Sequence, residues 1–183
     1  MATQRCRCGW HCDGRRECLC TPPALHRYRM RISGPLLDRI DLHAEVPALA
    51  YRELASPAAG ESSAAVAARV EMAREIQADR YGTAIGNGAG QVASARLAPT
   101  LTNARASMRA LKATLRLDAV AEKILERSME KLGLSARGHD RILRVARTIA
   151  DLEGSDRVRS IHVAEAVQYR HLDRPVGEMT AGR

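Results

Sequence analysis

The chain has 183 residues, 45% of them hydrophobic but only 3% aromatic, and its 29 Lys and Arg against 21 Asp and Glu give a net charge of +8. That length fits one domain, or one domain plus a short module. No apolar run approaches the span a membrane helix needs, no secretory leader is visible, and the Ala, Leu, Val and Ile bias favours close helix packing over a sheet sandwich.

All five cysteines fall in the first 20 residues, MATQRCRCGWHCDGRRECLC, which show no helical or strand period. An odd, clustered set without a leader argues for metal ligation in a reducing, cytoplasmic compartment rather than a disulfide framework. Cys6, Cys8, Cys18 and Cys20 form C-x-C…C-x-C, enough thiolates for tetrahedral zinc. The alternative is a set of reduced thiols in an unstructured segment. Cys12 and His11 lie between them, and Arg15 and Arg16 are placed for contact with DNA.

Thr21 followed by Pro22 and Pro23 predicts the cap and first turn of a short basic helix reaching about Ile32. Its RYRMR stretch (27–31) interleaves basic groups with Tyr28; it either tracks a nucleic-acid backbone or forms an outer helix face. Gly34 and Pro35 break the chain, and LLDRI suits a brief helical turn. Arg39 there stands between Asp38 and Asp41 in an apolar run. Such a charge is either neutralised by its neighbours or aimed outside its own fold. DLHAEVPAL then alternates at Leu42, Ala44 and Val46, which predicts the one convincing strand.

From Glu61 to Arg80 the period becomes helical, with Val66, Val70, Ala73 and Ile76 in one stripe. YGTAIGNGAGQ (81–91) predicts a loop, and Asn103 to Leu115 a helix. Asp118 caps a helix with Val120, Ala121, Ile124, Leu125, Met129 and Leu132 inward and Gly133 as its stop. Ser135 caps the next, running to about Leu152 with Ile142, Val145, Ala146 and Ile149 inward. Arg141, Arg144 and Arg147 recur opposite that face; a solvated face, with Arg147 pairing to Asp151, is expected ahead of a strip that contacts a phosphate backbone. EGSD is a turn, a last helix covers Ser160 to Tyr169, and RPVGEMTAGR is a frayed tail.

Together, CRCG, CLCTP, RYRMRISGPLLDRIDLHAEVPAL and LGLSARGHDRILRVARTIADLEGSDRVRSIHVAEAVQYR resemble the C-terminal part of the magnesium-chelatase-like AAA+ ATPases, above all the competence-associated type. The resemblance implies a mainly α fold: a helical lid bundle preceded by the truncated end of an α/β core with one or two strands and a cysteine-rich loop. Residues 1–50 would be the core end, 51–174 the lid and 175–183 a disordered tail. It makes Arg39 an arginine finger, reaching from one subunit into the neighbour's ATP site, and Arg137 the sensor arginine that contacts the nucleotide's terminal phosphate. The four outer cysteines match the family's pattern and Cys12 is an extra.

Intact relatives would hydrolyse ATP with magnesium in a ring that acts on DNA, in branch migration. No G-x-x-x-x-G-K-[ST] occurs in this chain; Gly9 and Gly14 have the glycine spacing, but Arg15 and Arg16 follow. No apolar strand ends in acids that would hold magnesium. The chain is therefore expected to be inactive alone and to work in a homo-oligomeric ring or with a companion chain carrying the P-loop half, with DNA as partner and no membrane. Two other readings stand: a zinc-stabilised nucleic-acid-binding module, and a subunit of a true magnesium chelatase.

Overall fold

A computed structural model of the protein describes residues 3–4, 6–11, 16–46, 48–49, 51–55, 60–86 and 102–170. Its described residues form eight helices: α1 (Pro22–Arg29), α2 (Gly34–Leu37), α3 (Tyr51–Leu54), α4 (Ser63–Gly86), α5 (Met108–Thr114), α6 (Ala119–Leu132), α7 (Ala136–Leu152) and α8 (Ser160–Gln168). The protein is mainly α, as the sequence predicts.

Local signals set most of these boundaries. The Asp118 carboxylate accepts the Ala121 N–H at 2.6 Å, and the Ser107 and Ser135 hydroxyls accept from Ala110 and Gly138 at 3.1 Å each. Each cap satisfies an N–H that the first helical turn leaves orphaned. Gly133 ends α6 with φ 58°, a left-handed geometry that a side chain would strain.

Helix α8 packs against both α6 and α7, and α4 lies along α7. Leu111, Ile142, Leu143, Val158 and Val163 are buried between them, beside Ala121, Ala146, Ala150 and Ala166. The alanines let helix axes approach closely, while each large aliphatic side chain contributes about 1.5–3 kcal/mol on burial. Residues Leu117 and Val158 form an isolated parallel bridge that ties the start of α6 to the start of α8.

A polar network crosses this core. The fully buried Asp151 carboxylate accepts from Arg147 Nε at 3.0 Å, Arg80 Nη1 at 2.9 Å and the Asn103 amide at 2.7 Å. Asn103 also takes the Tyr81 hydroxyl at 2.8 Å and gives its backbone N–H to Gln77 at 3.0 Å. One carboxylate between two guanidiniums thus fastens α4 and the 102–107 turn to α7.

Several expectations change. The alternating segment at 41–46 is not a strand, and no strand of more than a bridge occurs among the described residues. Its His43 N–H instead donates to the Tyr169 carbonyl, 2.8 Å away, at the end of α8. Alternation signals a strand only where a second strand is at hand to pair with it. Helix α4 continues through Tyr81 to Gly86, because Tyr81 and Gln77 are anchored by Asn103; residues 87–91 of the predicted loop lie outside the described residues. Its buried face is Ala73, Gln77 and Tyr81, at i, i+4 spacing, while Val66 is exposed. Val120 is likewise exposed, at the first turn of α6. Helix α5 starts at Met108, five residues later than expected, because Asn103 is spent on the network. The tail from 171 onward, Cys12 and Arg15 lie outside the described residues.

The three arginines expected on a solvated face are instead engaged by the fold: Arg147 is buried, and Arg141 and Arg144 are partly buried. Arg147 is 1% exposed; besides Asp151 it donates to the Asp156 carbonyl at 2.7 Å and to that of Ser155. Arg144 donates to the carbonyls of Ala106 at 2.8 Å, Ala104 at 3.2 Å and Asn103. A guanidinium carries five donors on a long apolar stem, so a helix can bury it wherever carbonyls converge. The pairing of Arg147 with Asp151 is as predicted.

Candidate functional site

Ser33 and Pro35 start α2, whose single turn ends at Asp38, and Arg39 follows. Arg39 is exposed, and its guanidinium makes no hydrogen bond or ion pair among the described residues. Its flanking carboxylates, which would neutralise it, are engaged by other residues. Asp38 accepts the Ser135 hydroxyl at 2.9 Å and lies 3.8 Å from Arg170. Asp41 pairs with Arg141, whose Nε donates to the Asp38 carbonyl at 2.6 Å. The buried Arg170 guanidinium donates to the Ile40 carbonyl. Ser135, Arg141 and Arg170 thus engage the aspartates of the turn and leave Arg39 exposed.

Arg137 lies in the first turn of α7, two residues after its cap, and is exposed. Arg141 and Arg144 lie one and two turns further on. These three arginines, with Asp41, Asp140, Ala104 and Met108, line an open cavity of about 320 Å³. Burial, and after it the charges of Arg170 and Arg144, hold the Arg141 pKa below its usual value. The cavity wall therefore carries three arginines against two aspartates beside the first turns of α7, a setting that attracts anions.

At the other end of the segment, Cys6, Cys8, Cys18 and Cys20 converge, with all four Sγ atoms within 4.8 Å of one another. The Cys6–Cys8, Cys8–Cys18 and Cys6–Cys18 separations are 3.3, 3.6 and 3.9 Å. A tetrahedral zinc with bonds of about 2.3 Å spaces its sulfurs by roughly 3.8 Å, so the donor set fits that ion. The Trp10 backbone N–H, and after it the Cys6 thiol, pull the Cys8 pKa down to about 6. The Arg16 guanidinium stacks 4.6 Å above the Trp10 ring. Basic helix α1 follows, with no buried residue.

Sequence reasoning singled out Arg39, Arg137 and the four cysteines; the structure gathers the cysteines and puts the two arginines on one connected unit. It missed Arg141, Arg170 and Ser135 as the links. One signal was present: Arg137 and Arg141 are i, i+4 and share a helix face.

Comparison with known proteins places these features. The family model described as "Magnesium chelatase, subunit ChlI C-terminal" matches residues 60–170, and that described as "Magnesium chelatase, subunit ChlI" matches residues 1–54. The chain is 38% identical over 155 residues to competence protein ComM of Haemophilus influenzae, covering 84% of this chain and 27% of that protein. It is 38% identical over 156 residues to the uncharacterized protein YifB of Escherichia coli, covering 85% and 27%. An uncharacterized protein of Mycobacterium tuberculosis is 35% identical over 154 residues, covering 84% and 28%. The chain spans roughly a quarter of the length of these relatives. No helix among the described residues is long and apolar enough to cross a membrane. Two matched stretches, 60–170 and 1–54, and these relatives agree: the chain belongs to the magnesium chelatase subunit ChlI family.

Proposed function

We propose that this chain supplies the arginine finger and the helical lid of an ATP- and magnesium-dependent AAA+ ring that acts on DNA. Arg39 is the finger. Its charge enters the ATP site of the neighbouring subunit and stabilises the oxygens of the transferring phosphoryl group. Arg137 is the sensor, reaching a terminal phosphate from the first turn of α7. The phosphate cradle and magnesium ligands come from the P-loop half, in the same assembly. Cys6, Cys8, Cys18 and Cys20 hold one zinc ion, which orders a loop that has no core of its own.

One observation carries this reading. Arg39 is exposed and unpaired among the described residues although two carboxylates lie within two positions of it, because Ser135, Arg141 and Arg170 occupy them. A charge kept free in that way is available to a partner. Support for DNA is the net charge of +8 and the arginines of the first 31 residues. The experiment is steady-state ATP hydrolysis by the complete ATPase carrying Arg39→Ala. The expected loss is about 10³-fold or more in kcat with little change in KM; a loss under threefold excludes the finger.

A second reading has its own support in the cysteine cluster and the Arg16–Trp10 stack. There the first 31 residues bind nucleic acid by themselves. It requires salt-dependent DNA retention by the purified chain without nucleotide, lost when zinc is removed.

A further inference from the structure

The same guanidinium that lines the Arg137 cavity also holds the Arg39 turn. Arg141 donates Nε to the Asp38 carbonyl at 2.6 Å and pairs through Nη1 with the Asp41 carboxylate. It is a quarter exposed and Asp41 is half exposed, so this pair is reachable from the cavity. Three guanidiniums there face two carboxylates; Asp140 is engaged by His139 at 3.1 Å, which leaves Asp41 as the carboxylate bound to Arg141.

We propose that Arg141 is a positioning residue that toggles between Asp41 and a polyphosphate anion in the cavity, and so relays occupancy at Arg137 to the turn that carries Arg39. The relay rests on the reading of Arg137 as a phosphate contact. When the cavity is empty, Arg141 and Arg170 clamp both sides of the turn. When an anion enters, it competes with Asp41 for the Arg141 guanidinium. Phosphate offers the same bidentate geometry as a carboxylate with more charge. Asp41 is then released and the turn is held by Arg170 and Ser135 alone. Nucleotide sensed by one subunit thereby changes how freely that subunit offers Arg39 to the next.

Linkage makes the proposal testable in two directions. If Asp41 and the anion compete, removing Asp41 must tighten anion binding. A merely structural Asp41–Arg141 pair predicts no change, or weaker binding from a loosened fold. The experiment uses the whole 183-residue chain, with inorganic tripolyphosphate as ligand, by calorimetry and hydrogen–deuterium exchange.

The expected results are these. Tripolyphosphate binds the native chain, and Arg137→Gln weakens it at least tenfold. Asp41→Asn tightens it several-fold. Saturation speeds exchange of the 38–41 amides at least threefold in the native chain, but not in Arg141→Gln, where exchange is already fast. Circular dichroism confirms that each variant keeps its helix content, and Asp41→Asn, at an exposed position, tests the toggle even if Arg141→Gln unfolds. Binding without faster exchange, or unchanged or weaker binding by Asp41→Asn, overturns the relay and leaves the phosphate contact standing. Absence of binding overturns both.

Discussion

The Asp38 carboxylate accepts the Ser135 hydroxyl at 2.9 Å, across 97 residues of sequence. That hydroxyl also accepts the Gly138 N–H at 3.1 Å and so caps α7. One oxygen atom therefore joins the turn that ends in Arg39 to the helix that carries Arg137 in its first turn. Ser135→Ala removes a cap worth about 1 kcal/mol and a bond to a carboxylate worth about 1.5 kcal/mol or more. Urea denaturation is expected to show a loss of about 2–3 kcal/mol, and Ser135→Thr should recover most of it.

Arg39 and Asp151 should behave oppositely. The exposed Arg39 guanidinium makes no hydrogen bond or ion pair among the described residues, so Arg39→Ala should shift unfolding by less than about 0.5 kcal/mol. Asp151→Ala leaves Arg80 and Arg147 facing each other in a buried site and should cost about 3–5 kcal/mol. Thermal and urea melts of both variants check this. A stability cost for Arg39→Ala equal to that of Asp151→Ala would make Arg39 a structural residue.

The cysteine cluster makes a metal prediction. Protein purified under reducing conditions should carry one zinc per chain by elemental analysis, and Cys6→Ser, at a buried ligand position, should abolish it. Near-zero zinc in the native chain removes this part of the account.

With metal stripped, the thiols should differ in pH response. Cys8 is drawn from its ordinary 9.0 to about 6, so above that pH it is a thiolate. Its contribution to loop order is complete above the unfolded value and fades as pH falls through about 6. Alkylation by iodoacetamide should therefore reach Cys8 first, with a rate that rises with pH and is half-maximal near pH 6. Uniform labelling of all four thiols with midpoints near 9 would contradict it.

The helices were legible because local chemistry sets them. Ser135, Asp118 and Gly133 mark ends that the fold keeps. The face of α4 was misread because Gln77 and Tyr81 are buried by polar anchors, which hydrophobic period does not register. Arg147 was placed in solvent for the same reason: its partners are carbonyls and a carboxylate that only the folded chain brings together. The 41–46 segment carries strand alternation without a strand beside it, so its pattern alone does not determine its state. The site was half legible. Arg39, Arg137 and the cysteines were visible as motifs; the clamp of Arg141, Arg170 and Ser135 on Asp38 and Asp41 spans about a hundred residues and has no local signature.

The most direct measurement concerns where Arg39 acts. Complete ATPase subunits carrying Arg39→Ala are mixed with subunits whose P-loop lysine is replaced, each inactive alone. A finger that crosses to the neighbour restores hydrolysis in the mixed rings, to about a quarter of the native rate for random assembly. Mixed rings as inactive as their parents would contradict action across the subunit boundary.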